Sequence, residues 1–274
     1  MKTDIRIPLR DREPFLHVGR GMIDVEDGAV VLADVNGVRM QIPVGTLACL
    51  MIEPGTTITH AAVKACTDED CLLVWCGEGG TRMYSVGSPG GARSDKLLFQ
   101  LEVASHPQRR LRVVREMFRR RFGDTVPDRR SVEQLRGLEG ARVREQYGDI
   151  ARRYGVPWNG RQYDPRVWHK SNDANRAISA ANACLYGLTE SAVLVAGYSP
   201  AVGFLHTGKP LSFVYDIADL FKFDVSVPAA FEVVATGARD PEGAVRRLLR
   251  DRFRESRLME KLIPTIEEVL DVGD

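Results

Sequence analysis

The chain has 274 residues, 44% of them hydrophobic, and a formal net charge of +1. No apolar run approaches the ~18 residues of a membrane helix, and the charged start, Met1-Lys-Thr-Asp-Ile-Arg6, lacks the apolar stretch of a secretion signal. Cysteines at 49, 66, 71, 76 and 184 form no CxxC pair, which argues against a zinc site and points to reduced, mostly buried thiols in a cytoplasmic protein without membrane contact.

The first ninety residues read as mostly β. Apolar runs at 22–25, 29–34 and 38–43 are separated by Asp27-Gly28 and Asn36-Gly37, dipeptides that favour tight hairpins. A strand at 47–53 ends at Pro54-Gly55, a short helix at 59–65 opens on Thr59, and strands at 72–76 and 81–86 follow. Residues 1–86 are thus expected to form a small β domain with one helix. Three glycines and a proline within Gly87–Arg93 mark 87–95 as a linker.

Residues 96–274 read as helical, which makes the fold class α+β: a small N-terminal β domain, then a larger all-helical domain. Helices are expected at 96–104, 108–122 and 131–154, the last opened by a capping box of Ser131 and Gln134. More follow at 172–188, 189–196 (capped by Thr189), 212–221, 228–236, 240–255 and 258–270.

Charge is distributed unevenly. Residues 92–176 carry 20 Lys/Arg against 11 Asp/Glu, while the blocks on either side each sum to −4. Nearly all of the excess is arginine, which grips phosphate through parallel N–H groups, so a local polyanion contact is expected there. Helix 108–122 alone holds seven arginines, with Leu111, Val114, Phe118 and Phe122 at core-facing spacing and the arginines on the other face.

Two acidic features carry the chemistry. Glu139 lies between Gly137 and Gly140, and glycines cost a helix about 1 kcal/mol each relative to alanine, which suggests a close approach to the backbone there. Further on, His206 sits in a Gly-rich turn ahead of Asp216 and Asp219, which are i and i+3 on an otherwise apolar helix. Buried acids need a partner, either a metal ion or a Lys/Arg salt bridge. One imidazole with two or three carboxylates in an Arg-rich chain points to a divalent cation working on phosphates. Gly203–Lys209 matches a P-loop up to Pro210, where Ser or Thr belongs, so that reading is set aside. The stretch Trp158–Lys170 alternates aromatics with Arg161, Arg166 and Lys170, which suits stacking of single-stranded bases or a loop pinned by its tryptophans.

The runs Arg129–Gly140 and Phe204–Asp219, with Ile42-Pro-Val-Gly45, Pro89–Lys96 and Lys261-Leu-Ile-Pro264, resemble the CRISPR adaptation integrase family across essentially the whole chain. That family is the universal CRISPR-associated metal-dependent DNA endonuclease of spacer acquisition, and the likeness is to its type I-E branch. The resemblance implies that Glu139, His206 and Asp219 are ligands of Mg²⁺ or Mn²⁺, with Asp216 a supporting acid of the catalytic site. It implies DNA contacts at Arg82, Arg144, Tyr163, Trp168, Tyr186, Lys209, Tyr215, Arg246 and Arg250. It further implies a homodimer, a small ferredoxin-like CRISPR-associated partner protein, and two DNA substrates: a duplex with single-stranded ends and the CRISPR repeat. One stretch departs from that pattern, since His17–Gly21 lacks the aromatic wedge some relatives carry, and the sequence as given ends at Asp274, before the Pro-rich tail that some relatives have. The alternative is a non-catalytic DNA-binding scaffold whose acids pair with arginines.

Overall fold

The computed structural model describes residues 7–8, 11–13, 15–77, 83–87, 94–123, 130–162 and 172–272. Turn chemistry sets the first sheet. Asp27 (φ 49°) and Gly28 (φ 80°) both take the positive φ that a tight hairpin demands, and they join β2 (Gly21–Glu26) to β3 (Ala29–Asp34). Gly37 (φ 79°) turns the chain into β4 (Arg39–Ile42), helped by the Asp34 carboxylate, which accepts the Asn36 and Val38 N–H groups at 2.8 Å. The sheet is completed by β6 (Thr56–Ile58), giving the order β4-β3-β2-β6. Next comes α1 (His60–Asp68), capped by the Thr59 hydroxyl as expected.

A second sheet has the order β1-β5-β7-β8, from Leu16–Val18, Cys49–Ile52, Leu72–Cys76 and Met83–Gly87. β5 pairs in parallel with both β1 and β7. The alternation of side chains divides β5 between two cores. Cys49 and Met51 enter the large core shared with the helices, while Leu50 and Ile52 enter the small core beneath α1. All four are at most 1% exposed, so the sequence Cys-Leu-Met-Ile reads as a strand covered on both faces.

Eight helices are described after residue 94: α2 (Asp95–Ser105), α3 (Pro107–Phe122), α4 (Val132–Arg153), α5 (Asp173–Val195), α6 (Ser212–Ala218), α7 (Ser226–Ala235), α8 (Pro241–Glu255) and α9 (Leu258–Asp271). α4 starts with the expected reciprocal box: the Ser131 hydroxyl accepts from Gln134 N–H, and the Gln134 side chain accepts from Ser131 N–H. α5 runs through the middle of the helices and meets the second sheet, where the Ser191 hydroxyl donates to the Ala48 carbonyl at 3.2 Å. All five cysteines are buried and unpaired, and burial pushes the Cys76 and Cys184 thiols up to about 12.

One expectation is corrected, and two strands were missed. The helices expected at 172–188 and 189–196 are one, because Thr189, Glu190 and Ser191 are buried within a continuous α5 and Thr189 does not cap. β1 and β6 were not foreseen. Each has three residues and exists through parallel pairing with a distant strand, which leaves no local trace. The expected strand at 81–86 is found as β8, one residue on at its end.

Candidate metal centre

Glu139 projects from the middle of α4, Asp219 caps the C-terminus of α6, and His206 lies in the turn ahead of α6. One donor atom from each lies within 4.8 Å of the others. Three side chains separated by up to 80 positions in sequence therefore meet at one point. Asp219 is buried, while Glu139 and His206 are half-buried.

The turn is held from behind by Asp216. Its Oδ2 accepts the N–H groups of Phe204 (2.6 Å) and Leu205 (3.1 Å), and its Oδ1 accepts that of His206 (2.8 Å). The His206 Nδ1 lies 2.8 Å from the same Oδ1. A carboxylate can only accept, so Nδ1 carries a proton, and in the neutral ring Nε2 is the nitrogen whose lone pair is left for a cation. Asp216 is 2% exposed and fully engaged, which makes it a positioning residue behind the cluster. The turn is pinned from a second side, because Arg110 on α3 donates to the Phe204 carbonyl from Nε (2.9 Å) and Nη2 (2.7 Å). Gly203 is required by packing: a Cβ there would sit 2.2 Å from the His206 carbonyl oxygen. α5 and an irregular stretch precede this turn, so it has no P-loop context.

The acids carry built-in counter-charges. Arg121, in the last turn of α3, pairs with Glu139 through Nη1, and its Nη2 lies 3.5 Å from Asp219 Oδ2. Lys222 Nζ lies 3.3 Å from Asp219 Oδ1. Burial alone would raise Asp219, but Lys222, Arg121 and His206 together hold its carboxyl below the usual range. Burial would likewise lower Lys222 and His206. The neighbouring carboxylates win in both cases, Asp219 for the lysine and Asp216 foremost for the histidine, and both are raised. Two carboxylate oxygens and one imidazole nitrogen, kept close by these bonds, suit a divalent cation.

The cluster opens into a cavity of about 1020 Å³. His206 and Asp219 lie in its wall beside Arg144, Tyr186, Lys209, Tyr215 and Lys222. Tyr186 packs edge-on against Tyr215 (centroids 4.9 Å apart), which in turn meets the His206 ring at 6.0 Å. Burial pushes the Tyr186 hydroxyl up to about 12, so it stays a proton donor at neutral pH. Tyr147 and Trp158 stack at 5.4 Å and form another part of the wall. Trp158 thus anchors its stretch to the core, and Arg161 ties it to α5 through the Asn175 side chain (2.8 Å) and Ser179.

Of the residues expected to touch DNA, Arg144, Tyr186, Lys209 and Tyr215 line the cavity. Arg82, Tyr163 and Trp168 lie outside the described residues. Arg246 and Arg250 sit on α8 and are not part of the cavity wall: Arg250 is exposed beside Asp251 (3.2 Å), while Arg246 Nη1 is buried. The expected core face of α3 is found, with Val114 and Phe118 buried and Leu111 and Phe122 packed against the core, but the expected arginine face is corrected. The helix's core stripe is Val113, Val114, Met117 and Phe118, but Arg110 and Arg121 point into the site, Arg120 pairs with Glu116 and Glu268, and Arg112 binds the Val272 carbonyl. Sequence reasoning missed Arg121 and Lys222. The second had a legible signal, a lysine three residues after Asp219, whereas Arg121 is hidden among seven arginines. Among the described residues, Gly137 has no neighbour within 4 Å of where a Cβ would stand, so none of their backbone packs there.

A family profile described as "CRISPR associated protein Cas1" matches residues 17–125 and 120–256. The CRISPR-associated endonuclease Cas1 3 of Methanospirillum hungatei JF-1 is 60% identical over 267 residues, which are 97% of this chain and 89% of that protein. The CRISPR-associated endonuclease Cas1 of Escherichia coli K12 is 57% identical over 268 residues, 98% of this chain and 88% of its own. The protein in the crystal structure of a TtCas1–DNA complex superposes with a TM-score of 0.80 at 40% identity, covering 94% of this chain and 91% of that one. A strand-rich region followed by helices, with an acid–imidazole cluster in a basic cavity, is thus an enzyme of the endonuclease class. The chain belongs to the Cas1 family of CRISPR-associated proteins.

Proposed function

We propose that this Cas1-family enzyme joins captured DNA fragments to a CRISPR repeat, with Mg²⁺ or Mn²⁺ held by Glu139, His206 Nε2 and Asp219. The observation that carries this reading is the convergence of these three donors at a cavity lined by cations and aromatic rings. When bound, the cation supplies Lewis acidity, which polarises a phosphodiester and eases deprotonation of a 3′-hydroxyl or a water. The imidazole donor favours Mn²⁺ as a competitor to Mg²⁺, which prefers oxygen.

The chain's own groups do the rest. Arg144, Lys209 and Lys222 neutralise the phosphodiester as it enters, the protonated Tyr186 hydroxyl donates to an oxygen there, and Asp216 keeps the His206 ring in one tautomer and orientation. Attack by the fragment's 3′-hydroxyl forms one phosphodiester bond as another breaks, and the repeat strand leaves with a free 3′-hydroxyl. With water as the attacking group, the same arrangement cuts DNA. Tyr163, Trp168, Arg82, Arg246 and Arg250 are proposed as further contacts along a duplex with single-stranded ends. The working assembly proposed is a homodimer of this chain with a small ferredoxin-like CRISPR-associated protein, and residues 1–86 and 96–274 are proposed as its two domains.

Glu139→Ala is expected to abolish strand joining on a supercoiled repeat-bearing plasmid while DNA binding in the presence of chelator, read by fluorescence anisotropy, stays within about twofold of wild type. Joining at the wild-type rate by this variant overturns the assignment. A non-catalytic scaffold would give no joining in any metal and equal DNA binding with and without chelator.

A further inference from the structure

Arg121 has an unusual environment for its charge. Its side chain is 3% exposed, less than that of either acid it faces. Nη1 is paired with Glu139, but Nη2 reaches Asp219 only at 3.5 Å, and neither Nε nor Nη2 has a hydrogen-bond acceptor among the described residues. Both atoms are sealed from solvent. Leaving two nitrogens of a buried guanidinium unsatisfied carries the full desolvation penalty of each, which is larger for a charged group than for a neutral one. The neighbouring Phe122 ring supports it at 4.9 Å without supplying an acceptor. A group in this condition has an unmet demand for oxygen acceptors, and the nearest ones are the oxygens proposed to hold a cation.

Counting charges gives the consequence. The two carboxylates, Glu139 and Asp219, are matched one for one by Arg121 and Lys222. Asp216 is engaged with three backbone N–H groups and the imidazole. With no divalent cation the ligand pair is therefore already neutralised. The Asp216 carboxylate behind the imidazole adds one further negative charge, so a cation of charge +2 entering against the two resident positive charges leaves the cluster with an excess of about one. That excess is relieved by a phosphodiester, whose oxygens also offer the acceptors that Arg121 lacks.

We infer that Arg121 is the resident counter-cation of the ligand set: it competes with a divalent cation for the oxygens of Glu139 and Asp219 and ties metal binding to the presence of a phosphodiester. This rests on the proposed ligand set. Metal and DNA thereby strengthen each other's binding, and by linkage the factor is the same in both directions. The free enzyme holds Mn²⁺ weakly, and the cluster takes its full charge only when DNA is seated.

The test is Mn²⁺ binding, read by electron paramagnetic resonance without and with a short duplex, with Glu139→Ala as background for metal held by DNA itself. Arg121→Met is expected to tighten Mn²⁺ binding in the absence of DNA about tenfold and to shrink the gain on adding DNA by a similar factor. Arg121→Lys, which keeps the charge, stays within about threefold of wild type. A merely structural arginine would weaken the metal on removal, so unchanged or weaker Mn²⁺ binding by Arg121→Met overturns the inference. Tight binding that persists in Glu139→Ala instead sinks the ligand set itself. Should Arg121→Met not fold, the unaltered protein decides: the Arg121 Nε–H resonance, identified by its loss in Arg121→Lys, shifts on adding Mg²⁺ if the inference holds, and a stationary signal ends it.

Discussion

Among the described residues, two sites of buried carboxylates have surroundings that differ in one respect. At the cluster, Glu139 and Asp219 have Arg121 and Lys222 within ion-pair reach, and Asp219 stays ionised although buried. Towards the C-terminal end of α5, Glu190 is 4% exposed, its Oε2 has no hydrogen-bond partner among the described residues, and burial alone pushes its carboxyl from the ordinary 4.5 up to about 7. Burial is common to both, so burial does not mark the functional acid. What marks it is the investment in compensating groups that keep it charged. An acid left to neutralise itself makes a poor ligand for a cation at neutral pH.

The sharpest way to break this comparison is to remove one negative charge from each place. Asp219→Asn leaves the buried Lys222 without its carboxylate and Arg121 with Glu139 alone, and is expected to destabilise the metal-free protein by about 3–5 kcal/mol, as chemical denaturation at pH 7 would show. Glu190→Gln should do the opposite. Its folded value lies above its unfolded one, so the neutral form is favoured by folding: stability is complete below about pH 4.5 and declines as pH rises through 7. The substitution is therefore expected to stabilise by about 2–3 kcal/mol at pH 8, with the gain vanishing towards pH 4.5. A gain that is constant with pH would remove the ionisation argument. Next in size, Asp216→Asn keeps the shape but weakens the acceptor behind His206, and should weaken Mn²⁺ binding 10–100-fold by calorimetry. An affinity equal to wild type would leave Asp216 a backbone anchor and nothing more. The smallest effect is at Gly137, where an added methyl meets no atom of the described residues: Gly137→Ala should stabilise by up to about 1 kcal/mol in thermal unfolding.

The sequence disclosed the elements whose signals are local. Asp27-Gly28, Asn36-Gly37, Thr59 and the Ser131–Gln134 box each sit where turn and capping chemistry puts them. It concealed β1 and β6, whose partners are distant, and it suggested a break in α5 because a threonine followed by a glutamate reads as a helix start even when both are buried. The ligand candidates were legible because acids on apolar helices demand explanation. The compensating arginine was not, since nothing in a run of Arg119-Arg120-Arg121 says which of the three turns inward. Only the packing of α3 against α4 and α6 decides that.

The turn from Phe204 to His206 is fastened by Asp216 on one side and Arg110 on the other, and none of those bonds involves a metal. The imidazole is consequently parked in its working pose in an emptied enzyme. Stripping with a chelator and later reloading should then be a simple exchange, with no refolding phase between them, unlike a zinc finger that collapses when its ion is withdrawn.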